Sequence, residues 1–152
     1  MPLFALYQRR QSSLVEPYLE DLREKGVTCL VDPVNEESDS PETISVNLVD
    51  RLRDSSHLLL FVPDEAPPPW WVGFALGAAV SQDRRIVTCK LDRPPLPRFL
   101  VKWPCLEGCD GFTRFVECYR RDASVPFRES KNTFHPIKTS EQFHRKLREQ
   151  LR

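Results

Sequence analysis

The chain opens on Leu3-Phe4-Ala5-Leu6-Tyr7, a short apolar run that ends in the polar triplet Gln8-Arg9-Arg10. That pattern is a buried strand running out into a loop. Leu14, Tyr18, Leu19 and Leu22 then fall on one helical face, and Gly26 supplies a left-handed stop. Pro17 belongs in the first turn of that helix or just before it, because deeper in it would cost a hydrogen bond. Residues 27–31 form a second apolar run, closed by Asp32-Pro33, and a polar loop covers 34–39. Ser40 can cap free helical amides and Pro41 suits the first helical position, so Ile44, Leu48 and Leu52 become the stripe of a second helix. Residues 57–62 are apolar without alternation, as in a central parallel strand covered on both faces.

A loop over residues 63–69, stiffened by three consecutive prolines, leads to a helix predicted over 70–81. Its Gly73, Ala75, Gly77, Ala78 and Ala79 are small enough for close approach to a sheet. Residues 85–91 make a fourth strand, and a second Pro-rich stretch at 93–97 precedes a short fifth one near Cys105-Leu106. Phe112, Phe115, Val116 and Tyr119 predict another helix. After Arg121 the chain turns polar and irregular until Thr139, which with Gln142 makes a candidate capping box. Phe143, Leu147 and Leu151 then form one narrow stripe, that of a docked helix.

Strands alternating with helices indicate an α/β domain with a four- to five-stranded parallel sheet and helices on both faces, of the flavodoxin type. It occupies residues 1–121, with a C-terminal extension over 122–152 that ends in a helix. Such sheets bind ligands beyond the C-terminal ends of their strands, where the strand order reverses. That edge collects Tyr7 to Arg10, Asp32 and its loop, residues 63–65, and the start of the 70–81 helix.

Composition narrows the class. At 152 residues the chain is one domain, or one with a tail, and its 22 Lys+Arg balance 22 Asp+Glu. Zero net charge argues against a general nucleic-acid binder. No apolar run is long enough for a membrane span, and the N-terminus lacks a signal peptide's pattern, so a cytoplasmic protein is expected. Five scattered cysteines read as reduced thiols. Cys105 and Cys109 lack a second pair at zinc spacing, and His57, His135 and His144 follow no triad or metal pattern.

The segment over residues 61–79, FVPDEAPPPWWVGFALGAA, resembles the central motif of Toll/interleukin-1 receptor (TIR) domains. It is more similar to bacterial TIR proteins in which Trp-Trp-Val leads into a helix reading Glu-(Ile/Leu)-Gly. The segment LPRFLVKWP, over 96–104, resembles that subgroup's Leu-Pro-x-x-Leu-x-x-Trp-Pro, and the acidic loop after Asp32 corresponds to the BB loop of these domains. The resemblance spans residues 3 to about 120, and its motifs are more specific together than singly.

This resemblance implies an enzyme that cleaves the nicotinamide–ribose bond of NAD⁺, its substrate, without a metal. In the anti-phage, Thoeris-like kind, the product is an ADP-ribose-derived signal sensed by a separate effector protein. Self-association is implied as well. The family's catalytic glutamate lies four residues after the tryptophan, and here that position is Ala75. Either the chain is a natural pseudoenzyme, or a Glu→Ala substitution was introduced; the otherwise intact motif favours the latter. Bond cleavage develops positive charge on the ribose C1′, which a carboxylate beneath the sugar stabilises, and a methyl at 75 removes that help.

Further candidates follow from position. Trp70 and Trp71 begin the helix, where one could stack on a flat ring while the other packs inward. Tyr7 ends the first strand and is preferred to Phe4, which alternation places in the core. Arg9 and Arg10 could pair with pyrophosphate oxygens, and Asp32 could hold the loop that follows it. Asp64 and Glu65 are the nearby acids that could substitute for the missing carboxylate. Two other readings stand beside the enzyme: a non-enzymatic TIR module acting by self-association, and a nucleoside deoxyribosyltransferase-like enzyme.

Overall fold

The computed structural model describes residues 1–91, 95–124 and 139–152, apart from the side chains at 123, 124 and 139. His135 and the Thr139 side chain of the expected capping box therefore lie outside what is described. Five parallel strands form one sheet: β1 (Leu3–Gln8), β2 (Cys29–Val34), β3 (His57–Phe61), β4 (Arg85–Cys89) and β5 (Cys105–Leu106). Their order is β2-β1-β3-β4-β5, as a flavodoxin-type fold requires. The helices are α1 (Ser12–Glu24), α2 (Pro41–Arg53), α3 (Trp70–Ser81), α4 (Gly108–Ser124) and α5 (Thr139–Leu151).

The expected punctuation is in place. Gly26 sits at φ +76°, with its amide donating to Arg23 O and that of Val27 to Leu22 O, so the end of α1 is closed by paired carbonyl bonds. Ser40 Oγ accepts from the Thr43 amide at 3.2 Å, and Pro41 takes the first position of α2. β1, β3 and β4 lie inside the sheet, and their alternate residues feed two apolar layers. Leu3, Ala5, Tyr7, Leu59, Phe61 and Val87 pack with α1, α4 and α5. Phe4, Leu6, Leu58, Leu60 and Ile86 pack with α2 and α3.

Four local expectations change. Pro17 lies in the second turn of α1, because the helix starts at Ser12 directly after a 3₁₀ turn over Arg9–Gln11. The buried stripe of α1 is accordingly Val15, Leu19 and Leu22, while Leu14 is exposed. β2 runs on through Asp32 and Pro33 to Val34, pairing them with Leu6, Tyr7 and Gln8. In α3 only part of the small-residue set meets the sheet: Ala75 and Ala79 are fully buried, whereas Gly73 and Gly77 face outward with nothing near the position of a Cβ.

The C-terminal helix α5 docks against α4 and β4 through Phe143 and Leu147, which belong to the α1/α4 layer of the core. Its fit has a backbone component. The amides of Thr88 and Lys90 donate to Pro104 O and Leu106 O around β5. Two residues earlier the Ile86 amide points the same way, past the start of β5, and His144 Nε2 accepts from it at 2.7 Å. Among the described residues no helix is long and apolar enough to cross a membrane.

Candidate functional site

The strand order reverses between β1 and β3, so the crevice of a fold like this one lies between the loops leaving those strands. Here that crevice is bridged by side chains. Gln8 Nε2 donates to Glu65 Oε1 at 2.7 Å, and Arg10 Nε donates to Gln8 Oε1 at 2.9 Å. The Arg10 guanidinium also pairs with Asp64 and, at 3.0 Å, with Glu65. Gln11 is buried beneath them, its Nε2 donating 3.3 Å to Val62 O, and its amide oxygen has no partner among the described residues. Next to this bridge a hollow of about 200 Å³ lies between Val62–Pro68 and Lys90, Leu91 and Pro95–Pro97.

The predicted residues do not converge on one place. Arg10, Asp64 and Glu65 come together, and Arg9 stands exposed beside them. Trp71 and Ala75 lie one turn apart on the buried face of α3, both with no exposed surface, among Phe4, Leu6, Leu58 and Leu60. Trp70 points the other way, half exposed, its ring edge against Phe74. Tyr7 is on the opposite side of the sheet from Trp71 and Ala75, nearly buried, with its ring edge-on to Phe61 at 6.2 Å. Burial raises its hydroxyl pKa above the ordinary value.

Asp32 is half buried at the edge of the sheet, and burial pushes its carboxyl up, against the lowering effect of Arg51. The loop that follows is organised by Asn35 rather than Asp32. Asn35 Oδ1 accepts from the Glu37 amide at 3.1 Å, and its carbonyl accepts from the Asp39 amide at 3.0 Å. Glu36 from the same loop, missed in the sequence, receives the Trp71 indole Nε1–H at 2.7 Å. A buried indole needs such a partner, and periodicity gives no sign of which loop residue will supply it.

A second polar cluster, also unforeseen, lies at the N-terminal ends of the strands. His57 is fully buried, with Nδ1 2.6 Å from Ser56 Oγ and ring edges meeting Tyr119 and Phe143. Asp122 Oδ2 lies 2.9 Å from His57 Nε2, although the ring N–H is not aimed at it, and accepts from Arg85 Nε at 2.9 Å. Burial lowers the His57 pKa more than Asp122 raises it. Burial would raise the Asp122 carboxyl, but His57 and Arg85 outweigh it and hold the group below its usual range. His144 is lowered to about 4, by burial first and by Arg148 and Arg85 next.

All five cysteines are free thiols, and burial pushes Cys89 up to about 12 and Cys29 up to about 11, away from nucleophilic character. Among the described residues no three His, Cys, Asp or Glu side chains converge as a metal would need.

No protein-family model matches the sequence, and no curated protein does. The fold does have a solved counterpart. The TIR domain of the Toll-related receptor TRR-2 from the lower metazoan Hydra magnipapillata superimposes with a TM-score of 0.58 at 19% sequence identity. The match covers 79% of this chain and 95% of that one. The α/β architecture is therefore the TIR fold.

Proposed function

We propose that this chain is a TIR signalling module that works by associating with copies of itself and, as it stands, does not turn over NAD⁺. Position 75 carries the reading. It holds a methyl group with no exposed surface, on a helix that has no ionisable side chain at any of its 12 positions. Cleavage of the nicotinamide–ribose bond needs a carboxylate facing the developing charge on C1′. Of the acids around the crevice, Asp64 and Glu65 pair with Arg10 and Glu36 accepts from Trp71, while Asp32 lies on β2 at the edge of the sheet.

A second reading has its own support. The parent of this chain is then an NAD⁺-cleaving TIR enzyme of the anti-phage, Thoeris-like kind, disabled by Ala75, whose ADP-ribose-derived product would be sensed by a separate effector. Trp71 and Ala75 do share one buried face a turn apart, as the motif requires. The unpartnered amide oxygen of Gln11 under the crevice would suit a ribose hydroxyl or a carboxamide N–H. Admitting a dinucleotide would require the Arg10–Asp64–Glu65 bridge to open, since the hollow beside it is smaller than the roughly 300–1,000 Å³ of ordinary ligand pockets.

The test is nicotinamide release from NAD⁺ by the unmodified chain and by Ala75→Glu, each at concentrations where self-association is measured in parallel. The module reading expects association and no turnover by the unmodified chain. Turnover by the variant alone would establish the enzymatic parent. Turnover by the unmodified chain, or a strictly monomeric chain, overturns the proposal. Release of a free base from deoxyribonucleosides would instead indicate transferase chemistry.

A further inference from the structure

The outer face of α3 exposes what the rest of the molecule hides. Trp70, Phe74 and Val80 are 44%, 38% and 37% exposed, and Phe99 from the following 3₁₀ turn (Arg98–Leu100) is 48% exposed. Between α3 and that turn runs an open groove of about 420 Å³, floored by Gly73, Leu76 and Gly77 and walled by Phe99 and Trp103. A helix this apolar on every side is normally buried on every side.

The two glycines are not explained by the isolated fold. Each weakens a helix interior relative to alanine, yet a Cβ at Gly73 or Gly77 would touch nothing within 4 Å. Their missing side chains matter only to something lying against the outside of α3. The four exposed side chains present on the order of 350 Å² of apolar surface, within the roughly 300–600 Å² of the largest patch on a typical monomer, a patch that is often functional. Doubled by a symmetric contact and completed by a polar rim, that patch reaches about 1,200 Å², the lower bound for a specific pair.

We infer that the α3 face is a self-association surface, on which a second copy of this chain seats its own α3, the Trp70–Phe74 ridge of each copy entering the Gly73–Gly77 groove of the other. A second copy is the fitting occupant because the helix carries no charge, so juxtaposing it with itself brings no like charges together. The nearest charge on the groove, Lys102, sits at the rim over the Trp103 ring at 5.5 Å. This inference rests on the self-association reading and names the surface responsible.

The decisive variant is Gly73→Gln/Gly77→Gln, which fills the groove floor with better helix formers that meet no neighbour in the monomer. Sedimentation velocity over about a hundredfold concentration range should give a dissociation constant at least about tenfold weaker than that of the unmodified chain. At dilute concentration the variant's melting temperature should stay level or rise by about 2–4 °C. Opposite movement of the two readouts separates a lost interface from a damaged fold. Phe99→Ser, on the far wall, should weaken association as well. If association is untouched by both variants, the surface is wrong while self-association stands. If the unmodified chain is monomeric throughout, both the surface and the module reading fall.

Discussion

Two polar clusters occupy opposite ends of the same strands and are built from the same kinds of groups. At the C-terminal end Arg10, Asp64 and Glu65 meet in water, each more than 40% exposed. At the N-terminal end His57, Asp122 and Arg85 meet with exposures of 1%, 23% and 18%. An ion pair held in solvent contributes little to stability and opens readily, whereas one taken out of solvent is costly to disturb. The first end can therefore change partners, which suits the edge where α/β sheets receive ligands. The second end is committed to holding α4 and α5 on the sheet.

Three changes probe that contrast. Asp122→Ala should be the most damaging, since it leaves His57 and Arg85 facing each other without the shared carboxylate. A loss of roughly 2–3 kcal/mol in urea unfolding is expected, below the usual cost of breaking a buried pair because Asp122 is partly solvated. A loss under ~1 kcal/mol would erase the distinction between the two ends.

Acidification comes next. His144 is neutral in the fold, with its pKa lowered to about 4. The unfolded chain binds the proton first, so the contribution is complete above about pH 6.5 and is lost as pH falls from there through about 4. The loss should be on the order of 1–2 kcal/mol after allowing for the ring's partial exposure, and His144→Gln should make the pH dependence of stability over that window shallower, leaving the part that buried His57 contributes. A profile unchanged by that substitution would detach His144 from the docking of α5.

Arg10→Ala should have the smallest effect on stability, under about 1 kcal/mol and shrinking further in salt. Its consequence should appear instead at the crevice, as faster amide hydrogen exchange in the loop after β3. A stability loss matching that of Asp122→Ala would make the exposed bridge as structural as the buried one.

Much of the architecture was legible because parallel strands announce themselves as unbroken apolar runs and α2 begins on a Ser-Pro pair with one physical use. Alternation along β1 placed Phe4 in the core but did not show that Tyr7 is core as well, buried on the opposite face of the sheet. What stayed hidden depends on chain segments that periodicity cannot join. Glu36 reaches Trp71 across 35 positions, and His144 reaches Ile86 across 58. Gly73 and Gly77 looked like residues for close packing on the sheet because size alone does not say which side of a helix is covered; only the fold shows that Ala75 and Ala79 do that work.

The bond from Ile86 to His144 bears on how the chain is made. β5 is two residues long and stops short of the Ile86 amide, so a side chain from α5 finishes what a longer strand would have done. During synthesis the first 124 residues can emerge with β4 still unpaired along part of its outer side. Until residue 144 clears the ribosome, that stretch of backbone is open to any other extended segment nearby. α5 thus serves the nascent protein as a guard on a sheet edge, and a chain truncated before it should be lost to aggregation rather than simply weakened.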